Sequence, residues 1–152
     1  MVNEKDNINE LALSLGFAMT EMKTKFRQKI QEKINEHDPS FSYEMLEILG
    51  LIWRGNDGIN QQEIANQISK DKSSVTYLIS NLVKRDLVLR IEDTNDRRNK
   101  KIYLTEKGNE IMKNVFPWVL ELYKKAAGDA KKSEVKQAFD LIKKMTNNLD
   151  QL

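Results

Sequence analysis

The stretch from Asn60 to Val83 constrains this chain more than any other. Asn60-Gln61-Gln62-Glu63 has the Asn-x-x-Glu spacing of a capping box, in which the first and fourth side chains satisfy free backbone donors at a helix start. Ile64, Ala65 and Ile68 give that helix a buried face for two or three turns, until Ser69-Lys70-Asp71 breaks the period. Asp71 then suits the N-cap of a second helix with apolar positions Val75, Leu78, Ile79, Leu82 and Val83. Two short helices joined by a tight polar turn form a helix-turn-helix.

The flanking segments extend the pattern. Leu87 to Glu92 and Lys100 to Leu104 read as strands around the polar run Asp93 to Asn99, a β-hairpin with a long loop that would form a wing. Upstream, Ile8, Leu11, Leu15, Ala18, Met22, Phe26, Ile30 and Ile34 trace one stripe of a long helix ending before Asp38-Pro39. A second helix follows Ser40 or Ser42 and stops at Gly55-Asn56-Asp57-Gly58. Downstream, Thr105 can cap a helix through Tyr123, with a kink or break expected near Val115 to Trp118 because of Pro117. A last helix from about Ser133 carries Val135, Ala138, Phe139, Ile142, Met145, Leu149 and Leu152. The expected fold is mainly α with a small β-hairpin wing, a winged helix-turn-helix over residues 41–104, with long terminal helices over 1–40 and 105–152.

Composition removes several classes of function. At 152 residues the chain suits one domain with a real core. It has no cysteine, which excludes a disulfide framework, a thiolate metal site and a thiol nucleophile or redox sensor. His37, the only histidine, reads as a polar loop residue. No nucleophile stands with a base at a recognisable spacing, and there is no glycine-rich phosphate loop, so no catalytic residue, metal or cofactor is expected. The acidic, polar N-terminus lacks the look of a secretory signal, and the longest apolar run, about Ile48 to Trp53, is far too short to span a membrane. The expectation is a cytoplasmic protein without membrane contact.

Charge distribution says more than the net charge of +2. Between Ile68 and Lys107 ten Lys or Arg face six acids, leaving the rest of the chain net negative. A positive field concentrated in the central third is the footprint of a polyanion site, although a solvated basic surface gives the same excess.

With its apolar residues committed to the core, the second helix of the motif presents Ser73, Ser74, Thr76, Tyr77, Ser80, Asn81 and Lys84. An ordinary solvated helix carries Glu and Lys pairs there. Short hydroxyls, an amide and a phenol instead suit base edges and phosphates of double-stranded DNA, where an acidic face would be repelled. At the wing tip, Arg97 and Arg98 suit an adjacent minor groove, with Asp96 orienting one guanidinium and Lys100 and Lys101 serving phosphates.

Taken together, Glu63-Ile64-Ala65, Asp71-Lys72-Ser73-Ser74-Val75-Thr76, Leu82-Val83-Lys84-Arg85, Leu87-Val88, Asp96-Arg97-Arg98 and Leu104-Thr105-Glu106-Lys107-Gly108 resemble the MarR family of bacterial transcriptional regulators, over about Phe41 to Gly108. The resemblance implies a triangular homodimer built on the terminal helices, each subunit presenting one winged helix to a pseudo-palindromic site. It also implies a repressor that a small ligand releases, in many relatives an aromatic or phenolic one. Phe17, Phe26, Phe41, Tyr43 and Trp53 are candidates for such a cleft, although aromatics at helical spacing also serve as plain core. One departure is Asp86, where the family usually has glycine; a left-handed backbone there tolerates Asp at a small cost.

The stripes support self-association on their own. Ile8, Leu11 and Leu15, with Phe139, Ile142, Met145 and Leu149, are more apolar surface than a small monomer leaves open, although part of each stripe belongs to the core. A winged helix also serves elsewhere as a protein-binding module without DNA, and that alternative stands beside the regulator.

Overall fold

The computed structural model describes residues 7–55, 58–95 and 99–152. The chain forms two compact units, residues 1–114 and 115–152.

In the first unit, helix α1 (Ile8–Asn35) starts at Asn7, whose side-chain oxygen accepts from the Asn9 N–H. Its apolar stripe is largely open: Ile30 is buried, Leu11, Leu15, Phe26 and Ile34 are half-buried, and Ile8 and Met22 are exposed. After the Asp38-Pro39 turn comes α2 (Tyr43–Gly55). Ser42 provides its cap, Oγ accepting from the Met45 N–H at 3.2 Å. Met45, Leu46, Ile48, Leu49 and Ile52 make α2 the best-buried helix and the centre of the core.

The helix-turn-helix follows as α3 (Gln61–Ile68) and α4 (Lys72–Lys84). Asn60 caps α3 by accepting from the Gln62 N–H at 2.8 Å, while Glu63 accepts from the Gln67 amide instead of reaching back as a capping box would. Ile64, Ala65 and Ile68 pack with Val75, Ile79 and Leu82. Two residues expected in the α4 core are not fully inside: Leu78 is half-buried, and Val83 is 41% exposed. At about 100° per residue they lie roughly 60° and 80° from the stripe centred on Val75, on its two flanks.

Both helices end in a Schellman arrangement, with a left-handed residue after the last turn. Ser69 has φ 53°, and the Lys70 N–H donates to the Ala65 carbonyl. Asp86 has φ 58°, and the Leu87 N–H donates to the Leu82 carbonyl. The left-handed backbone expected at Asp86 is therefore present.

The wing strands β2 (Val88–Glu92) and β3 (Lys100–Leu104) are antiparallel, pairing Val88 with Leu104 and Glu92 with Lys100. The sequence suggested two strands, and the sheet has three. The two-residue strand β1 (Ile59–Asn60) adds to the free edge of β3, pairing Ile59 with Ile102 and Asn60 with Lys101, in the order β1-β3-β2. Two residues are too short to show an alternation, so only the pairing reveals the strand.

Helix α5 (Glu106–Ala127) is capped as expected, Thr105 Oγ1 accepting from the Gly108 N–H at 3.0 Å. It runs unbroken through Pro117, so of the kink or break expected there the break does not occur; losing one internal hydrogen bond in a helix of this length does not end it. In the second unit, the latter part of α5 leaves Val115, Phe116, Trp118 and Val119 half-buried. Helix α6 (Lys132–Leu149) has no buried residue among those described, and Phe139 and Leu149 are 60% and 68% exposed.

Candidate nucleic-acid interface

The seven α4 residues singled out from the sequence do not form one uniform face. Ser73, Tyr77 and Lys84 lie within about 20° of the direction opposite Val75 at 100° per residue. All three are exposed, Tyr77 most conspicuously at 68%. Ser74, Thr76, Ser80 and Asn81 lie on the flanks and are half-buried. Thr76 Oγ1 donates to the Lys72 carbonyl and accepts from Gln61 Nε2, both at 2.8 Å. Ser80 Oγ donates to the Thr76 carbonyl at 2.8 Å and accepts from Arg90 Nη2 at 3.2 Å. Gln61 Oε1 and Arg90 Nε are buried without a hydrogen-bond partner among the described residues. Thus Gln61 of α3 and Arg90 of the wing brace one flank of α4.

At the start of α4, Asp71 organises the first turn. Its Oδ1 accepts from the Ser74 N–H at 2.8 Å and from the Ser73 hydroxyl, and Oδ2 accepts from the Ser74 hydroxyl at 2.6 Å. These hydroxyls, with the amide, hold the Asp71 carboxyl well below the usual carboxylate range. Ser73 and Ser74 therefore offer lone pairs outward, their protons being committed to Asp71. Beside them, Glu44, Lys70, Ser73, Ser74, Tyr77 and Leu78 line a hollow, with Lys70 Nζ 4.0 Å from Glu44 Oε1. Glu47, one turn further along α2, is half-buried, and this burial raises its carboxyl above the ordinary glutamate value.

At the other end, Arg85 Nη1 donates to Asp38 Oδ2 at 2.7 Å, and Nη2 donates to Ser40 Oγ at 2.6 Å and the Ser40 carbonyl at 3.1 Å. The guanidinium carbon stands 5.5 Å from the Phe41 ring centroid. The Ser40 hydroxyl, followed by Arg85, holds the Asp38 carboxyl below its ordinary range. Three consecutive carbonyls after α4 accept from the start of α5: Arg85 from Lys107 Nζ, Asp86 from Thr105 Oγ1, and Leu87 from the Thr105 N–H.

In the wing, Lys100 stands opposite Glu92 and is half-buried. Lys101 Nζ lies 3.7 Å from Asp93 Oδ2. Asp96, Arg97 and Arg98, expected at the tip, lie outside the described residues. Of the residues expected at a dimer interface, Ile8, Phe139 and Leu149 are exposed, and Leu11, Leu15, Ile142 and Met145 are half-buried. Among the five aromatic cleft candidates, Phe17 is 69% exposed on α1, while Phe26, Phe41, Tyr43 and Trp53 are half-buried. Phe41 lies beneath Arg85, and the Tyr43 ring centroid is 5.8 Å from the Arg27 guanidinium carbon, so both face cations. Among the described residues no cluster of three or more His, Cys, Asp or Glu is arranged to hold a metal ion, and no helix is long and apolar enough to cross a membrane.

Arg85, Arg90, Gln61 and Asp38 were given no role at the interface from the sequence. Their partners lie on other elements, up to 47 residues away, and short-range periodicity carries no trace of such pairing. The signal that existed was Arg85 itself, a cation directly beyond the last turn of α4.

Residues 41–100 match the MarR family model. The transcriptional repressor MprA of Escherichia coli K12 is 28% identical over 97 residues, 64% of this chain and 55% of that protein. The chain thus spans about half the length of that relative. Among solved structures, MepR of Staphylococcus aureus in its DNA-binding conformation superposes with a TM-score of 0.77 at 24% identity, over 89% of this chain and 98% of that one. The MepR–DNA complex gives 0.73 at 23% identity, covering 88% and 96%. BldR of Sulfolobus solfataricus gives 0.78 at 18% identity, covering 97% and 100%. These structures share the fold: helices at both ends, a helix-turn-helix, and a wing sheet after it. Over residues 41–100 the chain is thus similar to the MarR family of regulators, and the architecture around that segment is the fold these solved structures share.

Proposed function

We propose that the chain is a sequence-specific double-stranded DNA-binding regulator, a ligand-responsive repressor acting as a homodimer on a pseudo-palindromic operator. The observation that carries this reading is the outward ridge of α4: Ser73, Tyr77 and Lys84 stand in line, uncharged except for a terminal cation, with the wing strands alongside. Such a helix can enter a major groove, its phenol and hydroxyl meeting base edges and its lysine a phosphate. Asn81, on the flank, can present an amide to adenine. Arg97 and Arg98, which follow β2 and precede β3 in sequence, would reach the neighbouring minor groove, oriented by Asp96. Lys100 and Lys101 add positive potential at the base of the wing.

A homodimer fits the open apolar positions on α1 and α6, and two winged helices would have to meet two half-sites together. A small aromatic effector would act by binding one spacing of the two recognition helices better than the other. Relatives named as a repressor and as a DNA complex support the reading.

Fluorescence anisotropy with the DNA upstream of its own gene, at three salt concentrations, tests the proposal. Log affinity should fall linearly with log salt, by roughly 0.9 per phosphate neutralised. Arg97→Ala and Arg98→Ala should each weaken binding by about 1–3 kcal/mol. A response flat in salt would sink the regulator reading and favour a protein-binding module.

A further inference from the structure

We infer that Arg85 and Asp38 are positioning residues for the recognition helix: the Arg85 guanidinium is turned inward and fixes the C-terminal end of α4 to the α1–α2 turn, taking no part in phosphate contact. This rests on the DNA-binding reading above and adds to it which basic residue stands apart from the contacts, and what it does.

Arg85 follows Lys84 at the end of α4, where a cation would ordinarily be counted toward the DNA. The geometry spends it elsewhere. Nη1 and Nη2 together make three hydrogen bonds to Asp38 and Ser40, and the flat guanidinium lies near the Phe41 ring. The receiving side is prepared. Asp38 Oδ1 accepts from the Ser40 N–H and hydroxyl, which leaves Oδ2 to Arg85 and points the Ser40 hydroxyl oxygen at Nη2. A lysine, with one compact ammonium, cannot reproduce that fork.

The opposite side of the same helix end is fixed independently by the Arg85, Asp86 and Leu87 carbonyls, which accept from Lys107 and Thr105. The end of α4 is therefore held between the α1–α2 turn and the start of α5. A small tilt there redirects Lys84, its neighbour in sequence, and Tyr77, two turns back. Hydrogen bonds to base edges tolerate only a few tenths of an ångström before they weaken. Nonspecific binding depends on the summed positive field and tolerates a tilt. The pair should accordingly govern discrimination between sequences and leave general DNA affinity unchanged.

The test uses the full chain and two duplexes, one selected by the wild-type protein from a random pool and one scrambled from it, titrated across several salt concentrations. Asp38→Ala removes a negative charge, so electrostatics alone would tighten binding to DNA. The inference requires the opposite on the selected duplex, whose affinity falls about tenfold, comparable to losing one charge-assisted hydrogen bond, while affinity for the scrambled duplex does not fall and the salt slope does not decrease. Arg85→Lys, which keeps the charge, should behave the same way. Lys84→Ala should lower the salt slope by about one phosphate's worth.

Thermal unfolding of each variant fixes a titration temperature below its transition, and Arg85→Lys carries the test if Asp38→Ala does not fold. Unchanged or tighter binding of the selected duplex overturns the inference. So does an equal loss on both duplexes, or a reduced salt slope in Arg85→Lys. Failure of the wild-type protein to select or bind any duplex removes the DNA-binding reading itself, an outcome distinct from the others.

Discussion

A missing carbon at Gly108 decides how closely α5 can approach the wing. A Cβ there would collide with the Leu87 carbonyl oxygen and lie 3.1 Å from Leu104 Cδ2. That carbonyl also accepts from the Thr105 N–H, so it cannot retreat without giving up a bond. Gly108→Ala should therefore cost about 1–3 kcal/mol, as overpacking of a filled site does, seen as a lower urea midpoint with an unchanged slope. A variant as stable as the wild type would show that the wing can shift at no cost. Thr105 was legible as a cap from its place before the helix, because capping is a contact over three residues. The demand at Gly108 was not, because its partner stands 21 residues earlier on a different element. The same distinction separates Asp71, whose capping role was plain in the sequence, from Arg85 and Asp38, whose pairing was not.

At the scale of elements, both helices of the helix-turn-helix close through a residue other than glycine in left-handed backbone. An L-residue with a side chain is strained there, by roughly 1–2 kcal/mol, against which glycine's freedom in the unfolded chain returns part. Ser69→Gly should raise stability by about 0.5–1 kcal/mol. A higher melting temperature with unchanged DNA affinity would confirm it, and a lower one would mean that the Ser69 side chain contributes more than its backbone costs. The helices were largely readable because each carries its own start signal: Asn60, Asp71 and Thr105 all accept hydrogen bonds where expected. Three features were not. β1 exists only by pairing with a strand some forty residues on. Val83 sits on the flank of its stripe, where helical spacing alone does not decide burial. The flanks of α4 turn Thr76 and Ser80 toward Gln61 and Arg90, narrowing the outward ridge that the sequence suggested.

For the whole molecule, the exposed side chains of α6 bear on assembly. Val135, Phe139, Leu141 and Leu149 each leave about half or more of their surface open. A second copy of the chain is the proposed cover, and burial of such surface is worth roughly 25 cal/mol per Å2. Phe139→Glu should place a charge in that contact and convert dimer to monomer in analytical ultracentrifugation at micromolar concentration, with loss of operator binding. A dimer that survives the change would put the interface elsewhere. Within the first unit, Asn60 belongs to two systems at once: it pairs with Lys101 in the sheet and caps α3. This limits what can be transplanted. A chimera that borrowed α3 and α4 alone would cut through the joint at Asn60 and strand the carbonyls at residues 85–87 without their donors. Because Arg85 is also held by Asp38 and Ser40, the smallest portable reading head runs from Asp38 to Gly108, so a change of DNA target by grafting must move the α1–α2 turn, α2, the two helices, the wing and the first turn of α5 as one cassette.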